Sequence, residues 1–116
     1  MAIIGPALQN WNGEGKIYLW ENITPGDTCL PLKVNERQVE IAFDVYGTFG
    51  GATIAVVGSF NQSRFAAVDD TYGQLMSYTS ASGIKPIGPP INAVNVTITG
   101  GAGSDVDVMC YVLTQR

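Results

Sequence analysis

The chain has 116 residues, 46% of them hydrophobic and only 14% charged, with a formal net charge of −4 and no histidine. That length suits one domain around one core. The missing histidine excludes His-assisted nucleophiles and His metal ligands. The acidic balance argues against nucleic acid and against polybasic attraction to a membrane as partners.

Residues 1–15 form an N-terminal arm distinct from the rest. Ile3, Ile4, Leu8 and Trp11 are apolar, but Gly5, Pro6, Gly13 and Gly15 break any regular period. Such an arm either drapes over its own domain or reaches out to a partner. It carries no positive charge and no sustained apolar run, so no secretory signal is expected. No stretch of the chain approaches the ~20 apolar residues of a membrane helix.

From residue 16 onward, period two dominates, and the second unit, 16–116, reads as a single β-sandwich domain. Strands are expected at 16–21, 30–34, 38–46, 52–60, 63–68, 74–79, 91–99 and 105–114. In 38–46 the residues Val39, Ile41, Phe43 and Val45 alternate with Gln38, Glu40, Ala42 and Asp44, as in a half-buried strand. Val94, Val96 and Ile98 share one face of 91–99, and Val106, Val108, Cys110 and Val112 share one face of 105–114. Eight short strands separated by Gly, Pro, Asn and Asp predict an all-β, antiparallel, jelly-roll-like sandwich with an irregular N-terminal arm. The Gly-Gly-Ala-Gly-Ser run at 100–104 predicts an antiparallel hairpin between the last two long strands. The Pro-rich stretch 86–90 reads as a stiff connection rather than a docking motif.

Two strands have a second apolar face. Tyr18 and Trp20 alternate with Ile17 and Leu19, and Met109, Tyr111 and Leu113 lie opposite the valine set of 105–114. A two-layer sandwich does not require this. The extra face must be covered by the arm, a ligand or another subunit, and homo-oligomer contact is the first expectation. A sugar platform built from Trp11, Trp20 and Tyr72 is the alternative.

No cluster points to catalysis or to a cofactor. The glycine run at 100–104 is followed by a strand and lacks the lysine of a phosphate loop. Asp69-Asp70 lacks calcium-loop spacing, and Asp105 and Asp107 share a strand face where they repel one another. Asp69, Asp70 and Asp107 are the residual acid–base candidates. No serine can have an imidazole partner, and no metal site is expected. The Asn-x-Ser/Thr triplets at Asn22, Asn61 and Asn95 read as chance, with Asn95 inside a strand. Cys29 and Cys110 are expected as free thiols, Cys110 as a small buried hydrophobe.

The order of features in 38–116 carries a family likeness. Gly50-Gly51-Ala52-Thr53-Ile54 opens a strand, followed by Gly58-Ser59, Phe65, Asp69-Asp70, Gly73 and the Pro-rich connection. Val94-Asn95-Val96-Thr97-Ile98-Thr99-Gly100-Gly101 and an apolar final strand complete it. The pattern resembles the small β-sandwich virion proteins of tailed bacteriophages, capsid decoration (cement) proteins in particular and, more loosely, other small head or tail components, with a carbohydrate- or receptor-binding module such as a tail or head-fibre component as the alternative. The resemblance implies a non-enzymatic protein without cofactors, made in the host cytoplasm and located on the capsid surface. It also implies a homotrimer that bridges capsomers of the major capsid protein. Candidate oligomer or capsid contacts are Ile3, Ile4, Leu8, Trp11, Tyr18, Trp20, Met109, Tyr111 and Leu113.

Overall fold

The computed structural model describes residues 2–11, 15–34 and 38–114. Twelve strands and no helix occur among them: β1 (Ile3–Ile4), β2 (Ala7–Trp11), β3 (Gly15–Ile23), β4 (Thr28–Cys29), β5 (Leu32–Lys33), β6 (Gln38–Thr48), β7 (Thr53–Ser59), β8 (Ala66–Ala67), β9 (Ser77–Tyr78), β10 (Gly83–Pro86), β11 (Ala93–Thr99) and β12 (Asp105–Thr114). One antiparallel sheet has the order β10-β6-β12-β3-β2, and the other runs β5-β11-β7-β8, with β9 also on β7. The expected β-sandwich is the fold, and every one of the eight expected segments contains a strand.

The core lies between the two sheets. Ile41, Phe43 and Val45 from β6, and Val106, Val108, Cys110 and Val112 from β12, meet Ile54 and Val56 of β7 and Val94 and Val96 of β11. Trp20 is fully buried among them, its ring stacked at 6.4 Å from that of Phe43. Its indole N–H donates to the Leu30 carbonyl at 2.9 Å, which satisfies the polar end of an otherwise apolar side chain.

The structure corrects three expectations. First, the glycine run at 100–104 does not close a hairpin. β11 pairs with β5 and β7, whereas β12 pairs with β3 and β6, so this loop carries the chain from one sheet to the other. The β6–β7 loop makes the same crossing in reverse, and the two loops pack backbone against backbone. A Cβ on Gly101, whose φ is +76°, would fall 2.6 Å from the Ala52 nitrogen. Glycine is needed here for close approach and left-handed backbone at a corner of the sandwich. Alternation says which residues share a face, not which strand is the neighbour.

Second, the arm is not irregular. β2 adds to the edge of β3, and β1 runs parallel to β4, with Thr28 and Leu30 amides donating to the Ala2 and Ile4 carbonyls. Asp27 anchors this segment. One carboxylate oxygen accepts the Ala2 amide, and the other accepts the Thr24 amide and hydroxyl, all at 2.8 Å. The Thr24 amide, then its hydroxyl, then the Ala2 amide hold the Asp27 carboxyl below its usual pKa. The arm therefore drapes over its own sandwich. Third, an unexpected edge strand, β10, precedes the Pro-rich connection; it ends at Pro86, where a missing N–H leaves the ladder intact, and 87–90 carry the chain on without a strand of their own.

Both cysteines are buried free thiols. Burial, reinforced by Asp27, pushes the Cys29 thiol up to about 11, and burial pushes Cys110 higher still.

Candidate interaction face

The candidate site is the outer face of the five-stranded sheet, and β12 is its centre. Since Val108, Cys110 and Val112 point into the core, Met109, Tyr111 and Leu113 point outward. Register then places their neighbours. Tyr111 stands between Ile17 of β3 and Ala42 of β6, Met109 between Leu19 and Asp44, and Leu113 between Gly15 and Glu40. Ile84 of the edge strand β10 lies beside Asp44 and is 77% exposed. Together Ile17, Ala42, Asp44, Ile84, Met109 and Tyr111 line an apolar depression of about 280 Å³.

Tyr111 lies across β3. Any side chain at Gly15 would collide with its ring and hydroxyl, so the glycine leaves the space that the phenol occupies. At the opposite end of the face, β3 bulges. Val106 faces Ile23 and Val108 faces Trp20, leaving Glu21 and Asn22 opposite Asp107. Asn22 has a φ of +57°, and its amide donates to the Asp107 carboxylate at 2.8 Å. The bulge keeps Trp20 and Ile23 both inward although three positions apart. Tyr46 faces Asp107 across the ladder. Partial burial raises its pKa, and the charges of Asp107, Asp44 and Glu21 raise it further.

The contact candidates separate into distinct groups. Met109, Tyr111 and Leu113 are outward and half-buried, as expected of a second apolar face. Ile3 and Leu8 are exposed at 72% and 54%, while Ile4 packs against the core. Trp11 belongs to β2 and pairs with Lys16, but its side chain lies outside the described residues. Tyr18 and Trp20 correct the expectation: they face inward, Trp20 at 0% exposure, opposite Cys110 and Val108. The outward pair on β3 is Ile17 and Leu19, of which Ile17 is half-buried and Leu19, between Met109 and Ala7, is buried. Both faces of 16–21 are apolar, so alternation alone does not choose; the bulky indole with an acceptor at Leu30 does. The platform of Trp11, Trp20 and Tyr72 does not form, because Trp20 is enclosed. Ile84 was missed because a lone isoleucine before Lys85-Pro86 has no period to mark it.

Two of the acids considered for chemistry, Asp70 and Asp107, hold backbone. Asp70 is buried and its Oδ1 accepts the Tyr72 and Gln74 amides at 2.8 and 3.0 Å, organising a tight turn. Asp107 braces the bulge. Among the described residues, no group of three or more His, Cys, Asp or Glu side chains is placed to hold a metal ion. The Asn95 amide donates to the Cys29 carbonyl and is therefore engaged within the fold. Among the described residues no helix is long and apolar enough to cross a membrane.

No protein-family model matches this sequence, and no curated protein sequence matches it at a significant level. The fold does have solved counterparts. The SPBc2 prophage-derived protein YomS superposes with a TM-score of 0.63 at 11% identity, covering 91% of this chain and 100% of that one. At that identity the likeness is one of fold.

Proposed function

We propose that this chain is a non-enzymatic structural subunit of a tailed-phage particle, and that the outer face of the β10-β6-β12-β3-β2 sheet is its docking surface. The observation that carries this reading is the face itself: Ile17, Met109, Tyr111, Leu113 and Ile84 stand outward on a sheet whose other side already fills the core. Contiguous outward apolar side chains mark interaction surfaces, and Tyr and Met are enriched at interface centres. The fold shared with a prophage-derived protein favours a phage setting, and the turn pattern of 38–116 favours the virion within it.

In its finer form the proposal is a homotrimer on the outer surface of the capsid, bridging capsomers of the major capsid protein. The sheet face meets the capsid, and the exposed Ile3 and Leu8 at the N-terminal edge lie between subunits. Three simultaneous attachments convert weak contacts into a long-lived clamp. Binding only the assembled shell stabilises that shell by mass action. The test is sedimentation of the isolated protein, followed by co-sedimentation with expanded capsids. A trimer that binds capsids supports the proposal, and binding is lost in Met109→Ser/Tyr111→Ser. A stable monomer that ignores capsids overturns it.

A further inference from the structure

The docking face has a charge pattern as well as an apolar centre. The outward positions of β3, β6 and β12 include Glu21, Glu40, Asp44, Asp105 and Asp107, five of the ten acids in the chain. None of the outward positions on β3, β6, β10 or β12 is a lysine or arginine. Glu40 stands beside Leu113 and Asp44 beside Met109, so carboxylates flank the apolar row on its β6 side. Glu21, Asp44 and Asp107 converge on Tyr46 at one end, where their charges act on its phenol.

We infer that the occupant of this face is a partner protein presenting an apolar side chain flanked by lysine or arginine, and not a second copy of the same face. The inference rests on the docking role proposed above and specifies the chemistry of the partner. An isologous dimer through this face would set the carboxylate rim of one copy against that of the other. Like charges juxtaposed across an interface repel and select against the wrong partner. A basic-flanked apolar segment meets both features: its apolar side chain enters the depression bounded by Ile17, Met109, Tyr111 and Ile84, and its cations reach Asp44 and Glu40 at the rim. Buried apolar contact then supplies affinity, while the rim charges set register and approach.

Methyl NMR of methionine-labelled protein tests this directly, because Met109 lines the face and Met76 is fully buried as an internal control. Three synthetic pentapeptides serve as probes: Lys-Leu-Trp-Leu-Lys, Glu-Leu-Trp-Leu-Glu and Lys-Gly-Ser-Gly-Lys. The first is expected to move the Met109 methyl while leaving Met76 in place, and to bind about fivefold more weakly at high salt or to Glu40→Gln/Asp44→Asn. An unshifted Met76 resonance in that variant shows that the fold is intact. Equal binding of the Glu-flanked peptide overturns the inference, as does equal binding of the Gly-Ser peptide or no shift at Met109 with any of the three. A Met109 shift that depends on protein concentration alone identifies a second copy as the occupant and also overturns it. Failure here, with the double serine variant still losing capsid binding, refutes the charge assignment and leaves the particle role standing. Success here without capsid binding refutes the particle role instead.

Discussion

The two sheets of this sandwich bury similar inner faces and present opposite outer ones. Outward positions on the β7–β11 sheet are occupied by Thr53, Ala55, Val57, Asn95, Thr97 and Thr99, polar residues or apolar ones no larger than valine. Outward positions at the centre of the β12 sheet are Met109, Tyr111 and Leu113, beside Ile17 and Leu19. Core packing demands one apolar face per sheet and makes no demand on the other. The threonine-bearing face shows what folding alone requires, and we propose that the excess on the β12 sheet serves contact with something else. The same strand shows the contrast residue by residue, since Val108 and Cys110 serve the core while Met109 and Tyr111 serve the face.

Breaking the inner side should have the largest effect. Trp20→Ala removes a fully enclosed indole stacked on Phe43 and is expected to destabilise the fold by about 3–5 kcal/mol, measured by urea unfolding. Asp107→Ala leaves the left-handed Asn22 without its acceptor and is expected to lower stability by about 1 kcal/mol. Asn22→Gly, which accepts the same backbone freely, is expected to stay within about 0.5 kcal/mol of the parent. On the outer side the prediction is reversed in kind: Tyr111→Ser shifts unfolding stability by less than about 1 kcal/mol but removes docking.

The smallest effect is confined to the N-terminal edge. The Asp27 carboxyl is held below its ordinary value, so its contribution is complete above the unfolded-state pKa and is lost as pH falls through the lower folded-state value. Amide exchange at Thr28 and Leu30, which bond to the Ala2 and Ile4 carbonyls, is expected to accelerate in that acidic window beyond its intrinsic pH dependence. Asp27→Asn is expected to abolish that extra acceleration.

Much of the sandwich was legible because alternation reports burial. The valine sets of β11 and β12 and the Ile41–Phe43–Val45 row all lie where their spacing placed them. What alternation does not carry is partnership. The glycine loop at 100–104 suits a hairpin as well as a sheet-to-sheet crossing, and the choice depends on Ala52 and the loop packed against it. Ile3–Ile4 and Ala7–Trp11 form strands because β4 and β3 offer them edges to pair with, an arrangement no local pattern encodes. The docking face was half legible. Met109, Tyr111 and Leu113 announce it, whereas the choice of Ile17 and Leu19 over Tyr18 and Trp20 depended on which side chain the interior could enclose.

The central claim, that the apolar outer face is covered in the assembled particle, is tested most directly by an introduced thiol. Ile84→Cys places a reactive group on the exposed edge of the face, while Cys29 and Cys110 stay silent through burial and raised thiol pKa. Maleimide labelling is compared between the isolated protein and the phage particles of which the proposal makes it a subunit. The account predicts rapid labelling in isolation, strong protection in virions, and failure of prelabelled protein to incorporate. Equal labelling rates in the two states, with normal incorporation of labelled protein, would contradict it.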